Sequence, residues 1–151
     1  MSRNNMIQRI QSIFLLLASA SGFGVIAFPF ATTPQIVQTS ALFSDARYSV
    51  NDHIGLLVLF AVASALTLAS IFLFKNRQVQ MKLCRIAIIA DVLGFVLAII
   101  LLWQDNAQMN FDTIKDGLGA YLPFSFILFG VLALRFIQKD EALVKSMDRL
   151  R

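Results

Sequence analysis

Apolar residues in this chain gather into four long blocks rather than alternating with polar ones. The blocks are "SIFLLLASASGFGVIAFPF" from Ser12, "IGLLVLFAVASALTLASIFLF" from Ile54, "CRIAIIADVLGFVLAIILLW" from Cys84 and "GLGAYLPFSFILFGVLALRFI" from Gly117. Each is about 20 residues long, the length a helix needs to cross ~30 Å of hydrocarbon. Only helices and closed barrels satisfy their backbone groups there, and the lack of strict alternation excludes a barrel. The pattern therefore predicts an all-α integral membrane four-helix bundle. It forms a single domain over 1–151, with spans near 12–30, 54–74, 84–103 and 117–137. Segments 31–53 and 104–116 connect spans on one side of the membrane; the turn 75–83 and the tail 138–151 lie on the other.

The ends and loops add detail. Met6, Ile7, Ile10, Ile13 and Phe14 share one helical face, with Asn4 or Asn5 as N-cap, so the first helix starts before the membrane. Arg3 and Arg9 ahead of "Ala18-Ser19-Ala20" resemble a secretory leader, but the apolar run continues through Phe30, as an uncleaved span would. In the first connecting loop, "QIVQTS" and "ARYSV" are β-prone pieces compatible with a small hairpin, and Asn51 or Asp52 is placed to cap the second span. Pro123 either kinks the fourth helix or marks its true start. The tail "RFIQKDEALVKSMDRLR" lacks Gly and Pro. It predicts an amphipathic cytoplasmic extension of the fourth helix, with Phe136, Leu143, Met147 and Leu150 on one face and an i, i+4 pair of Glu141 and Lys145.

Charge sets the orientation. Only 15% of residues are charged, against about a quarter in a soluble domain. Of thirteen basic residues, eleven fall in the amino-terminal tail, the turn 75–85 and the stretch from Arg135 onward. Arg47 and Lys115 alone lie on the other side, beside Asp45, Asp52, Asp105, Asp112 and Asp116. The rule that cytoplasmic loops carry the excess Lys and Arg predicts both termini in the cytoplasm. A pI of 9.6 then reflects a basic rim near anionic lipid. Nucleic acid is not an expected partner, since no polar face is free to hold it.

Candidate chemistry is sparse. Asp91 sits well inside the third span, where it costs ~2.5–3.5 kcal/mol; the span's Leu, Ile, Phe and Val residues return about 4–7 kcal/mol, so insertion survives. Ala87, Gly94 and Ala98 lie within ~60° of it on the helical wheel, and small residues mark faces of close helix approach. The carboxylate thus points into the bundle. The second span offers Ala61, Ala65 and Ala69 at i+4 spacing, with Ser64, Thr67 and Ser70 interleaved. Counting ~1.5 Å per residue from the cytoplasmic ends puts Thr67 and Ser70 near the depth of Asp91, with Arg135 shallower. Three roles stay open for Asp91: a packing residue hydrogen-bonded to Thr67 or Ser70, an ion pair with Arg135, or a proton or cation carrier.

The single cysteine, Cys84, reads as an inert buried residue. His53, the only histidine, lies next to Asp52 at the entrance to the second span; capping suits it better than a metal site shared with Asp105, Asp112 or Asp116. No phosphate-binding glycine loop and no nucleophile–base pair is present, so neither an enzyme nor a cofactor is expected.

Three stretches, "MIQRIQSIFLLLA" from Met6, "LFKNRQVQMKLCR" from Leu73 and "KDEALVKSMDRLR" from Lys139, resemble in order those of the family known as domain of unknown function 4293. The resemblance covers Met6 to Arg151 and makes Met6 an alternative start. It implies a small four-span inner-membrane protein, chiefly of Bacteroidota, with no assigned activity. The motifs suggest one cytoplasmic polar platform of Gln8, Arg9, Gln11, Lys75, Asn76, Arg77, Gln80, Asp140, Glu141, Asp148, Arg149 and Arg151. The expected function is non-enzymatic: an accessory or assembly subunit that sits in the bilayer and docks a membrane or cytoplasmic protein. The alternative is a small proton- or ion-linked transporter that uses Asp91.

Overall fold

The computed structural model describes residues 3–36, 40–105 and 114–148, with side chains from Ile10 to Ser146 within those ranges. Four helices dominate: α1 (Arg3–Ala27), α2 (Ile54–Phe72), α3 (Arg77–Asp105) and α4 (Leu122–Asp148). All four are long and apolar enough to cross a membrane. Helices α1 and α4, α2 and α3, α1 and α2, and α3 and α4 pack pairwise. The chain therefore runs up and down around a closed ring, as short connections dictate. One end of the ring carries the termini; the other carries a small sheet.

That sheet has three two-residue strands, β1 (Ala31–Thr32), β2 (Arg47–Tyr48) and β3 (Lys115–Asp116), in the order β2-β1-β3. Ala31 pairs antiparallel with both Tyr48 and Asp116. Of the β-prone pieces, "ARYSV" supplies β2, whereas the central strand lies before "QIVQTS", whose residues 37–39 fall outside the described segments. The third strand comes from the other loop and ties the α1–α2 and α3–α4 connections together. Close backbone approach explains two glycines here. Gly117 and Gly119 donate their N–H groups to the carbonyls of Phe30 and Pro29, at 2.8 and 2.9 Å. A Cβ on either would collide with the Pro29 or Phe28 carbonyl.

Helix ends follow the chemistry of the chain. Pro123 is the second residue of α4, where its missing N–H is harmless. It marks the start of the helix, five residues after Gly117. His53 caps α2 by accepting from the Gly55 N–H through Nδ1 at 3.1 Å. Asp52 instead accepts from the Ser49 N–H, so the cap falls one residue beyond the expected Asn51 or Asp52. Asn4 and Asn5 lie inside α1 rather than capping it. Asn76 Oδ1 accepts from the Val79 N–H at 3.3 Å and opens α3 seven residues before Cys84. The tail does continue α4, to Asp148.

Outward faces carry Ile13, Leu16, Phe23, Val58, Val62, Ile89, Leu93, Val96 and Leu128, all exposed. Such a continuous apolar exterior fits lipid and not water. The interior changes along its length. Toward the sheet, Phe30, Phe43, Tyr48, Val50, Leu56 and Phe60 form an aromatic core. Midway, Ala18, Ala63, Ala87 and Ala90 meet Phe126. Nearer the termini, Leu15, Cys84, Ala133 and Ile137 close the bundle.

Asp105, at the end of α3, anchors the long loop. Its carboxylate accepts from the Ser40 hydroxyl and from the N–H groups of Ala41 (3.2 Å) and Leu42 (3.4 Å), while Ser40 Oγ accepts from Phe43 N–H. Asp105→Ala is expected to cost about 1.5–3 kcal/mol, the range for hydrogen bonds to a charged group. Amide exchange at Ala41–Phe43 should accelerate while exchange in mid-helix stays slow; unaltered rates at those amides would contradict the anchor.

Candidate functional site

Asp91 is fully buried, and neither carboxylate oxygen has a hydrogen-bond partner among the described residues. Its small neighbours Ala87, Gly94 and Ala98 are buried with it. Gly94 packs on Phe60 and Leu59 of the antiparallel α2. Asp91, one turn closer to the termini, therefore stands level with Ala63.

The expected partners do not reach it. Thr67 and Ser70 lie about 6 and 10 Å nearer the termini than Ala63. Their hydroxyls donate to the Ala63 and Thr67 carbonyls, at 2.8 and 2.7 Å. The expected depth was wrong because α3 begins at Arg77, seven residues before the apolar block. That moves the α2 residue level with Asp91 from Thr67 to Ala63, about 6 Å along the helix. Arg135 is exposed and forms no ion pair with Asp91.

The packing face of α2 also differs from the alanine stripe. Ala65 and Ala69 are exposed and Ala61 is half-buried, whereas Phe60, Ala63, Ser64, Thr67 and Ser70 are buried. Hydroxyls that bond their own helix lose little inside, and they are poor company for lipid tails. Ser64 donates to the Phe60 carbonyl at 2.7 Å, and Ser19 of α1 donates across to the Ser64 carbonyl at 3.3 Å.

A second polar group lies near the termini. Gln11 of α1 and Gln80 of α3 are buried, each with its amide oxygen unpartnered among the described residues. The Gln80 amide donates to the Ser70 carbonyl at 3.0 Å. Arg77 of α3 and Asp140 of α4 meet at 2.7 Å, with the Asp140 side chain 2% exposed. Glu141 pairs with Lys145 at 2.9 Å as expected, and the ammonium hydrogen bond holds its carboxyl below the usual value.

Four of the platform residues, Gln11, Arg77, Gln80 and Asp140, thus turn inward, and the last three tie helices together. Lys75 and Asn76 are exposed. Side chains of Gln8, Arg9 and Asp148, and all of Arg149 and Arg151, lie outside the described residues. So do Asp112 and the side chains of Met147 and Leu150. Cys84 is buried with Sγ 3.5 Å from the Gly130 carbonyl. Among the described residues no three His, Cys, Asp or Glu side chains gather as metal ligands do.

The motif-bearing stretches therefore meet at one end of the bundle, and a family model spans residues 7–150 of the same chain. The chain belongs to the family Domain of unknown function (DUF4293). No curated protein and no solved structure matches it. In this DUF4293 chain the first stretch supplies Gln11, the second Arg77 and Gln80, and the third Asp140. Sequence reasoning found these residues but missed their inward direction. The signal was available in part: Gln80 and Cys84 are one turn apart, and Ala87 and Asp91 continue the buried stripe.

Proposed function

We propose that this multi-pass membrane protein is a non-enzymatic accessory or assembly subunit of a bacterial inner membrane, with its termini in the cytoplasm. There it docks a protein partner through the projecting ends of α3 and α4. The observation that carries this reading is the locked projection. Helix α3 has 29 residues, about 43 Å at the helical rise, and α4 is nearly as long. Both outrun ~30 Å of hydrocarbon. The Arg77–Asp140 pair joins them where they emerge. Val79 and Val144 stand exposed on this projection, among the exposed Lys82, Lys139 and Lys145. The basic rim supports the cytoplasmic orientation.

Removing the tail is a poor test, because it would also strip Asp140 from Arg77. The double variant Val79→Lys/Val144→Lys leaves that pair intact. A stoichiometric partner recovered with the wild type from native membranes in mild detergent is expected to be depleted at least tenfold, or about 1.4 kcal/mol, with the variant. Equal recovery with both proteins would reject the docking face.

A further inference from the structure

The bundle interior is polar on one side of Asp91 and aromatic on the other. From the termini inward come Gln11 and Gln80, then Ser70, then Thr67, all buried, and then the carboxylate. Two of these side chains, Gln11 and Gln80, carry amide oxygens with no partner among the described residues. Buried acceptors of this kind are normally satisfied by protein or water, so these two oxygens are places for water. The Ser70 and Thr67 hydroxyls each donate to their own helix, and their oxygens keep lone pairs that can accept from water. Beyond Asp91 aromatic rings fill the side toward α2, and the space beside Tyr48, of about 150 Å³, starts only at Phe95 and Ala98. Phe60 packs against Gly94, one turn away. Its ring lies 5.9 Å from Phe30, which lies 5.4 Å from Tyr48, which lies 6.2 Å from Phe43.

Among the described residues no ionic partner is at hand. The described part of α1 from Ile10 to Ala27 and the whole of α2 contain no Asp, Glu, Lys, Arg or His. At this level α4 presents Phe126, and its nearest charge, Arg135, is exposed about two turns nearer the termini. On α3 itself the nearest charge is Arg85, six residues away and exposed, and Cys84, two turns away, is directed at Gly130. An ionised carboxylate buried without a partner is costly, while the neutral acid avoids most of that cost. A metal cation would want several oxygen ligands, and beside the alanines and Phe126 this layer offers only the Ser19 and Ser64 hydroxyls, which already donate to helix carbonyls.

We infer that Asp91 is a one-sided proton site, exchanging its proton with the termini face through the Gln11–Gln80–Ser70–Thr67 passage and sealed from the sheet face by the Phe60–Phe30–Tyr48 stack. A carrier needs access from both faces. A one-sided site senses proton activity on one face only. This inference does not depend on the docking proposal.

The test is infrared spectroscopy of the full chain in lipid vesicles, sorted by tag capture into termini-outward and sheet-outward populations. A protonated-carboxyl carbonyl band present in wild type and missing from Asp91→Asn is expected at neutral pH. Making the outer buffer strongly alkaline should remove most of that band from termini-outward vesicles and leave it in sheet-outward ones. Gln80→Leu, which puts an apolar side chain into the passage, should keep the band and slow its loss. Absence of the band, its persistence in Asp91→Asn, or its indifference to both faces would overturn the proton site. Loss from sheet-outward vesicles would overturn the one-sidedness, and unaltered kinetics in Gln80→Leu would overturn the route. Melting of each variant in detergent near the wild-type temperature establishes that the bundle is intact.

Discussion

Arg77→Ala is expected to destabilise the purified protein by about 3–5 kcal/mol, because it leaves the Asp140 carboxylate buried and alone. The pair is 2.7 Å apart, and Asp140 is almost wholly enclosed. Arg77 starts α3 and Asp140 lies one turn beyond Ile137, so the contact closes the termini end of the bundle. Replacing both partners removes the desolvation problem along with the attraction. Arg77→Met/Asp140→Leu should therefore recover most of the lost stability, as apolar replacements of buried ion pairs often do. Little of the effect should be screened by salt, since buried pairs sit outside the reach of mobile ions. Reversible unfolding in detergent for the wild type, both single variants and the double variant gives the coupling energy directly. A coupling near zero would mean that the two side chains merely lie side by side.

Much of this architecture was legible in the sequence, for a physical reason. Eighteen or more consecutive apolar residues have few ways to satisfy their backbone, so the four helices followed from the blocks alone. The inward direction of Asp91 followed from Ala87, Gly94 and Ala98, which are buried beside it. Continuation of the last helix through the tail followed from its lack of Gly and Pro.

What stayed hidden depends on register between helices. Thr67 looked level with Asp91 only while α3 was assumed to begin at its apolar block; starting at Arg77 slid the two helices apart. The choice between the Ala61–Ala65–Ala69 face and the Ser64–Thr67–Ser70 face also escaped. Both have helical spacing, and composition does not say which one the neighbours cover. Two-residue strands such as Lys115–Asp116 have no period to detect. The Asp105 anchor joins residues more than sixty positions apart, so nothing local announces it. The inward turn of Arg77 and Asp140 was masked by the basic rim around them, which alone accounts for orientation.

At the sheet end, Tyr48→Ala is expected to cost about 3–5 kcal/mol, the range for truncating a large buried aromatic. Tyr48 is 1% exposed and sits between Phe30 and Phe43. Its hydroxyl donates to the Ala98 carbonyl of α3 at 2.9 Å, so one side chain joins the loop to the helix ring. It also lines a cavity of about 150 Å³ with Phe95, Ile99 and Leu102. Truncation would enlarge that space rather than let it collapse, which favours the upper part of the range. Tyr48→Phe keeps the ring and loses only the hydrogen bond, for about 1 kcal/mol. Burial pushes the phenol well above its ordinary value, and the Asp52 and Asp105 carboxylates push in the same direction. In the unfolded chain the phenol ionises near its usual pKa of about 10. Its contribution is thus complete below about pH 10 and is lost as the pH rises from there toward the higher folded value. Unfolding followed from neutral into alkaline buffer should show this decline in the wild type, and a shallower one in Tyr48→Phe. Equal slopes in the two proteins would place the alkaline weakness elsewhere and remove the buried phenol from the account of this end of the bundle.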